Sequence, residues 1–101
     1  MEETIIRFKK GKYPKKYTAT IKHKRTKNVR NIHFGDQRYA QYKDRTPLKL
    51  YKRRDHKTRK RMRNYFYRHS GEKTRKGAID KEKRKSNGIY TAKILSHIYL
   101  W

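Results

Sequence analysis

The sequence predicts a small α+β domain, with an N-terminal β-hairpin followed by two or three helices and a basic arm in front. Three observations predict it. Tyr17, Ala19 and Ile21 alternate with Thr18 and Thr20, the period of a strand with one face turned inward. Met62, Tyr65, Phe66 and His69 recur at helical spacing among Lys and Arg. Ile94, Leu95, Ile98 and Trp101 fall at i, i+1, i+4 and i+7, one face of a terminal helix.

Taken in order, residues 1–16 mix Glu2, Glu3, Ile5, Ile6 and Phe8 with the basic, Gly- and Pro-bearing run KKGKYPKK, which reads as an arm outside a domain spanning 17–101. The hairpin runs from Tyr17 through an RTKN turn into VRNIHF. Gly35-Asp36 ends it, because Gly permits positive φ and Asp bonds to backbone just downstream. Thr46-Pro47 reads as a cap and first-turn proline opening a short helix with Leu48 and Tyr51. Asp55 is expected to cap the next helix, and Ser70-Gly71 to stop it. Residues 72–87 are charged and poor in apolar groups, so a mobile loop is expected there. The terminal helix, with Lys93 as its single basic residue, is expected to cover the hairpin.

Composition limits what such a domain can do. Only sixteen of 101 residues are Leu, Ile, Val or Phe, and the net charge is +24, values on the disordered side of the usual boundary. Nine Tyr, three Phe and one Trp oppose that reading, since each brings a large buriable surface to a small core. With no cysteine, neither a disulfide framework nor a thiolate metal site is available, which fits a reducing compartment. Neither a spanning apolar run nor a secretory leader is expected.

Few residues offer reaction chemistry. The eight acids are Glu2, Glu3, Asp36, Asp44, Asp55, Glu72, Asp80 and Glu82, and no two sit at a spacing that pairs carboxylates by local geometry. Asp36, Asp44 and Asp55 read as turn, cap and ion-pair residues. His23, His33, His56, His69 and His97 form no metal-ligand motif. GIY at Gly88–Tyr90 is too short a match to a nuclease signature to carry that reading, and there is neither a glycine-rich phosphate loop nor a serine elbow. No catalytic residue, cofactor, metal or small-molecule substrate is therefore expected.

Charge with interleaved aromatics remains. Thirty-two Lys and Arg give strong, salt-dependent attraction to a polyanion. The densest run is Tyr51–His69, in which Arg53, Arg54, Lys57, Arg59, Lys60, Arg61 and Arg63 are the candidates for contact with phosphate, acidic protein or inner-membrane headgroups. Phe34, Tyr39, Tyr42, Tyr65, Phe66 and Trp101 are the candidate core or docking aromatics.

The ordered pieces IHFGDQRYAQYKDRT, DH, KRMRNYFYRHS and the final YLW resemble small basic proteins of unassigned function encoded by nucleocytoplasmic large DNA viruses, including chloroviruses and giant viruses. The resemblance covers about Tyr17 to Trp101 and departs at Met62, where that pattern carries a further basic residue. It implies a viral setting and no established activity. The expectation drawn from residues and resemblance together is a minor capsid protein, not an enzyme, on the inner face of an icosahedral virion, reached through host cytoplasm or a viral factory. There it would cement major and other minor capsid proteins. The alternative is a protein that condenses viral DNA by sequence-independent phosphate contacts. The stretch Asn31–Pro47 favours the first expectation, because it specifies a turn, aromatic spacing and a helix start that a charge brush does not need.

Overall fold

Alternation at Tyr17–His23 does make a strand: in the computed structural model, which describes residues Met1–Trp101, it is the central strand (β2) of a three-stranded antiparallel sheet. Val29–Phe34 (β3) pairs on one side, with Tyr17 opposite Phe34 and Lys22 opposite Val29. Glu3–Lys10 (β1) pairs on the other, so the expected arm contributes an edge strand instead. A register shift between Ile5 and Arg7 lets Ile5 and Phe8 face the same way, opposite Ile21 and Ala19. This bulge hides the strand from a period-two reading.

Three helices follow: Arg59–Ser70 (α1), Arg75–Lys85 (α2) and Ala92–Tyr99 (α3), so the fold is α+β. α3 packs on β3, as expected of the apolar C-terminal segment. The main core joins Tyr17, Ala19, Ile21, Ile32 and Phe34 of the sheet to Leu95 and Leu100, with Ile5 and Phe8 at its edge. Full burial of a side chain such as Leu95 contributes about 2 kcal/mol. A second cluster of Tyr65, Phe66 and Ala78 holds α1 to α2, and half-buried Trp101 touches both clusters.

Several boundaries differ from the expectation. Thr46 does not start a helix: its hydroxyl donates to Asp44 Oδ1 and accepts from Lys49 N–H, closing a turn in which Lys49 has φ 50°. Only a 3₁₀ turn at Lys52–Arg54 forms there. Asp55 does not cap α1, because its carboxylate is held by Gln41 and Asp44, and Lys57 at φ 51° turns the chain before Thr58 takes the cap position. The expected loop at 72–87 contains α2, whose Thr74 hydroxyl accepts from Gly77 N–H and whose Ala78, Ile79 and Glu82 are buried. Trp101 lies beyond α3, since Leu100 and Trp101 both donate back to the Ser96 carbonyl.

The turns read from glycine hold. Gly71 closes α1 in the left-handed conformation at φ 66°. Gly35 has φ 76°, and a Cβ there would lie 2.8 Å from Leu100 Cδ1 and 3.0 Å from Lys16 Cβ. Asp36 accepts from Arg38 N–H, completing the turn after β3.

Candidate functional site

The acids decide where the cations are free. Glu3 is buried and takes both Arg30 Nε and Arg30 Nη2 at 2.8 Å, an arrangement that depresses its pKa mainly through the Arg30 hydrogen bond. Asp36 is held down to about 2 by the Arg38 side chain. Asp80 pairs with Lys76 at 2.9 Å, and Glu82 has Lys85 and Lys93 at 3.9 and 4.0 Å.

Asp44 and Asp55 work inside. Asp44, 1% exposed, accepts from Tyr17 Oη, from Thr46 N–H and Oγ1 at 3.0 and 2.7 Å, and from Tyr51 N–H at 3.2 Å. Tyr17 Oη in turn accepts from Leu50 N–H at 2.9 Å. Asp55 Oδ1 accepts from Gln41 Nε2 at 2.6 Å and from Asp44 N–H at 2.8 Å. Gln41 Oε1 accepts from buried Lys16 Nζ, which also donates to the Tyr39 carbonyl at 2.9 Å. Desolvation, with nearby Arg54 adding repulsion, lowers the Lys16 pKa to about 8. The acids and turn of Asn31–Pro47 thus pin an irregular segment to the sheet.

The seven predicted cations are all exposed, and none lies within 4.0 Å of a carboxylate. They divide into groups. Arg53 and Arg54 line a small hollow with Lys10, Leu50 and Tyr51. Lys57, Arg59, Lys60, Arg61 and Arg63 surround the start of α1, whose first turn has no acid and whose N-cap Thr58 does not cap the helix N–H groups, its hydroxyl donating to the His56 carbonyl at 3.2 Å instead. These five cations near a helix N-terminus oppose the helix dipole, so stability does not explain them.

Arg61 also reaches a cleft of about 620 Å³ that the linear sequence does not show. Arg61, Tyr65, Arg68 and His69 occupy one face of α1 and supply one wall; Lys93 and Ser96 of α3 supply another; Lys15, Gly35, Asp36 and Tyr39 close the third. Its only acid, Asp36, is already clamped by Arg38. Trp101 stacks on Tyr65 with 4.2 Å between centroids and 5° between planes. Sequence reasoning missed Lys15, Arg68 and Lys93; Arg68 alone carried a signal, seven residues after Arg61.

Among the candidate aromatics, Phe34, Tyr65 and Phe66 are buried in the core, Tyr42 and Trp101 are half-buried, and Tyr39 is 65% exposed on the cleft. Tyr42 meets His56 edge-on at 6.0 Å and carries the Arg45 guanidinium at 5.6 Å.

One buried set resembles a catalytic triad in composition. Ser70 Oγ donates to Glu82 Oε2 at 2.8 Å, which leaves its oxygen to accept from His97 Nε2 at 2.8 Å, while His97 Nδ1 accepts from Tyr65 Oη at 3.0 Å. His97 Nε2 therefore carries its proton toward Ser70 and cannot act as its base. Burial lowers the His97 pKa to about 4, so the ring is neutral and ties the three helices together. No group of three or more His, Asp or Glu is placed to hold a metal ion, and no helix is long and apolar enough to cross a membrane.

No family model, curated protein or solved structure matches this chain.

Proposed function

We propose that the chain is a non-catalytic structural protein that binds nucleic-acid phosphate through its folded surface, in the viral setting that the resemblance suggests. One observation carries the reading: the fold turns six of its eight acids inward or pairs them with other cations, and leaves the seven cations from Arg53 to Arg63, including those at the start of α1, with no carboxylate within 4.0 Å. Bound phosphate supplies the missing countercharge and acceptors for the free N–H groups of that helix end. The exposed Tyr39 ring beside these cations suits contact with sugar or base.

The test is the salt dependence of duplex binding. Replacing Arg53, Arg54, Lys57, Arg59, Lys60, Arg61 and Arg63 with Gln is expected to reduce the slope of log K against log salt by about 3 to 6. A slope equal to that of the parent chain contradicts the reading.

A capsid-cement role is the second reading, and exposed apolar groups favour it: Tyr13, Val29 and Tyr67 are 68, 58 and 65% exposed, and Leu48 and Leu50 are 41 and 45% exposed. If particles are opened, digested with nuclease and washed, this role keeps the chain with the shells, whereas the nucleic-acid role releases it.

A further inference from the structure

The sheet has two faces, and only one is covered. Tyr17, Ala19, Ile21, Ile32 and Phe34 face the core, where Leu95 and Leu100 pack. Their neighbours along each strand point the opposite way. From the register, that opposite face carries Thr4, Arg7 and Lys9 of β1, Thr18, Thr20 and Lys22 of β2, and Val29, Asn31 and His33 of β3. Arg7, Lys9, Lys22, Asn31 and His33 are all exposed, and no acid is among the nine residues.

This face is built rather than frayed. Thr18 Oγ1 contacts His33 Nδ1 at 2.7 Å, and Thr20 Oγ1 donates to Asn31 Oδ1 at 2.9 Å, so cross-strand pairs fix the polar groups. Both threonines are under 5% exposed, which leaves the longer Arg7, Lys9 and Lys22 side chains to form the contact layer. Arg7 and Lys9 stand about 7 Å apart along one strand, and adjacent strands lie about 5 Å apart. The result is an acid-free cationic surface.

The α1 cleft lies on the helical side, where its wall includes Phe34 of the core face. The two cationic surfaces therefore look away from each other across the core, in a molecule whose extents are 40 × 28 × 19 Å. Such separation prevents one duplex segment from covering both at once without sharp bending.

We propose that the open sheet face is a second duplex-phosphate site, and that a single copy of the protein bridges two nucleic-acid segments, one on the sheet and one on the α1 side. This rests on the nucleic-acid reading above. It converts a binding protein into a cross-linker, because bridging needs both surfaces while binding needs either.

A capture experiment separates these outcomes. Duplex DNA on beads is loaded with protein at about 0.15 M salt, washed, and offered a second, labelled duplex. Three variants with equal charge removed are compared after circular dichroism shows each folded: Arg7→Gln/Lys9→Gln/Lys22→Gln on the sheet, Arg61→Gln/Arg68→Gln/Lys93→Gln on the cleft, and Lys73→Gln/Arg84→Gln/Lys85→Gln on and before α2. The sheet and cleft variants are expected to keep binding of a single duplex within about tenfold yet lose capture of the second by at least tenfold, while the α2 variant keeps it. Capture by the sheet variant equal to that by the α2 variant overturns the second site alone. Capture by the parent chain that scales with its self-association, measured by sedimentation, overturns bridging by a single copy. A parent chain that binds no duplex at this salt overturns both this inference and the function it rests on.

Discussion

Asp44→Ala is expected to lower the free energy of unfolding by about 3–5 kcal/mol, the largest loss of any single polar substitution in the chain. The carboxylate is buried and accepts four hydrogen bonds, from Tyr17 Oη, Thr46 N–H, Thr46 Oγ1 and Tyr51 N–H. Alanine leaves all four donors without an acceptor in a space that water does not enter freely. Total stability for a domain of this size is about 5–15 kcal/mol, and charge repulsion here reduces it, so the variant is expected to be largely unfolded at 37 °C. Asp44→Asn keeps the shape but loses the charge and one acceptor oxygen, and should cost about half as much. Urea unfolding followed by circular dichroism measures both; a loss under about 1 kcal/mol for the alanine variant would show that the network does not hold the segment.

The second large effect is on acid stability. His97 has its pKa lowered to about 4 by burial, against about 6.5 when unfolded. Between these values the unfolded chain binds a proton that the folded chain does not, so stability is fully present above about pH 6.5 and declines as pH falls toward 4. The loss reaches about 3 kcal/mol. His56 and His69 are also lowered by burial and add in the same direction. Glu82, His69, Lys93 and Arg75 supply the charges around His97; Glu82 favours its protonation and the others oppose it. Urea titrations at pH 7 and pH 4.5 should show the decline, and His97→Gln, whose amide can donate to Ser70 and accept from Tyr65, should flatten it. A variant as acid-sensitive as the parent would assign the window to other groups. Lys16 acts in a separate window: with a folded pKa of about 8, it stabilises progressively as pH rises from 8 toward its unfolded value.

Local patterns made much of this fold legible. Uninterrupted alternation gave β2, a glycine at positive φ marked the ends of β3 and α1, and apolar spacing gave α3. What stayed hidden depended on tertiary contacts. β1 escaped because its bulge breaks the alternation, so Ile5 and Phe8 stand three residues apart while facing the same way. α2 escaped because Glu82, a charged residue by sequence, is buried against Ser70. Thr46 and Asp55 have the chemistry of caps, yet both are consumed by the Asp44 network, and no local rule ranks a distant tyrosine hydroxyl above the nearest free N–H. The candidate site was half legible for the same reason. The dense run from Arg53 to Arg63 is visible in one dimension, whereas Lys15, Arg68 and Lys93 come together only when the β2 entrance, α1 and α3 are folded.

On the proposed function, the fold and not charge alone makes the binding surface. The most direct test compares duplex affinity of the parent chain and Asp44→Ala at about 0.15 M salt, at a temperature where the first is folded and the second is not. The variant has one acid fewer and is therefore the more cationic of the two. A surface assembled by the fold predicts that the parent binds at least tenfold tighter and that added duplex raises its melting temperature. Equal affinity would contradict the account, leaving the binding to charge density and the fold to some other task.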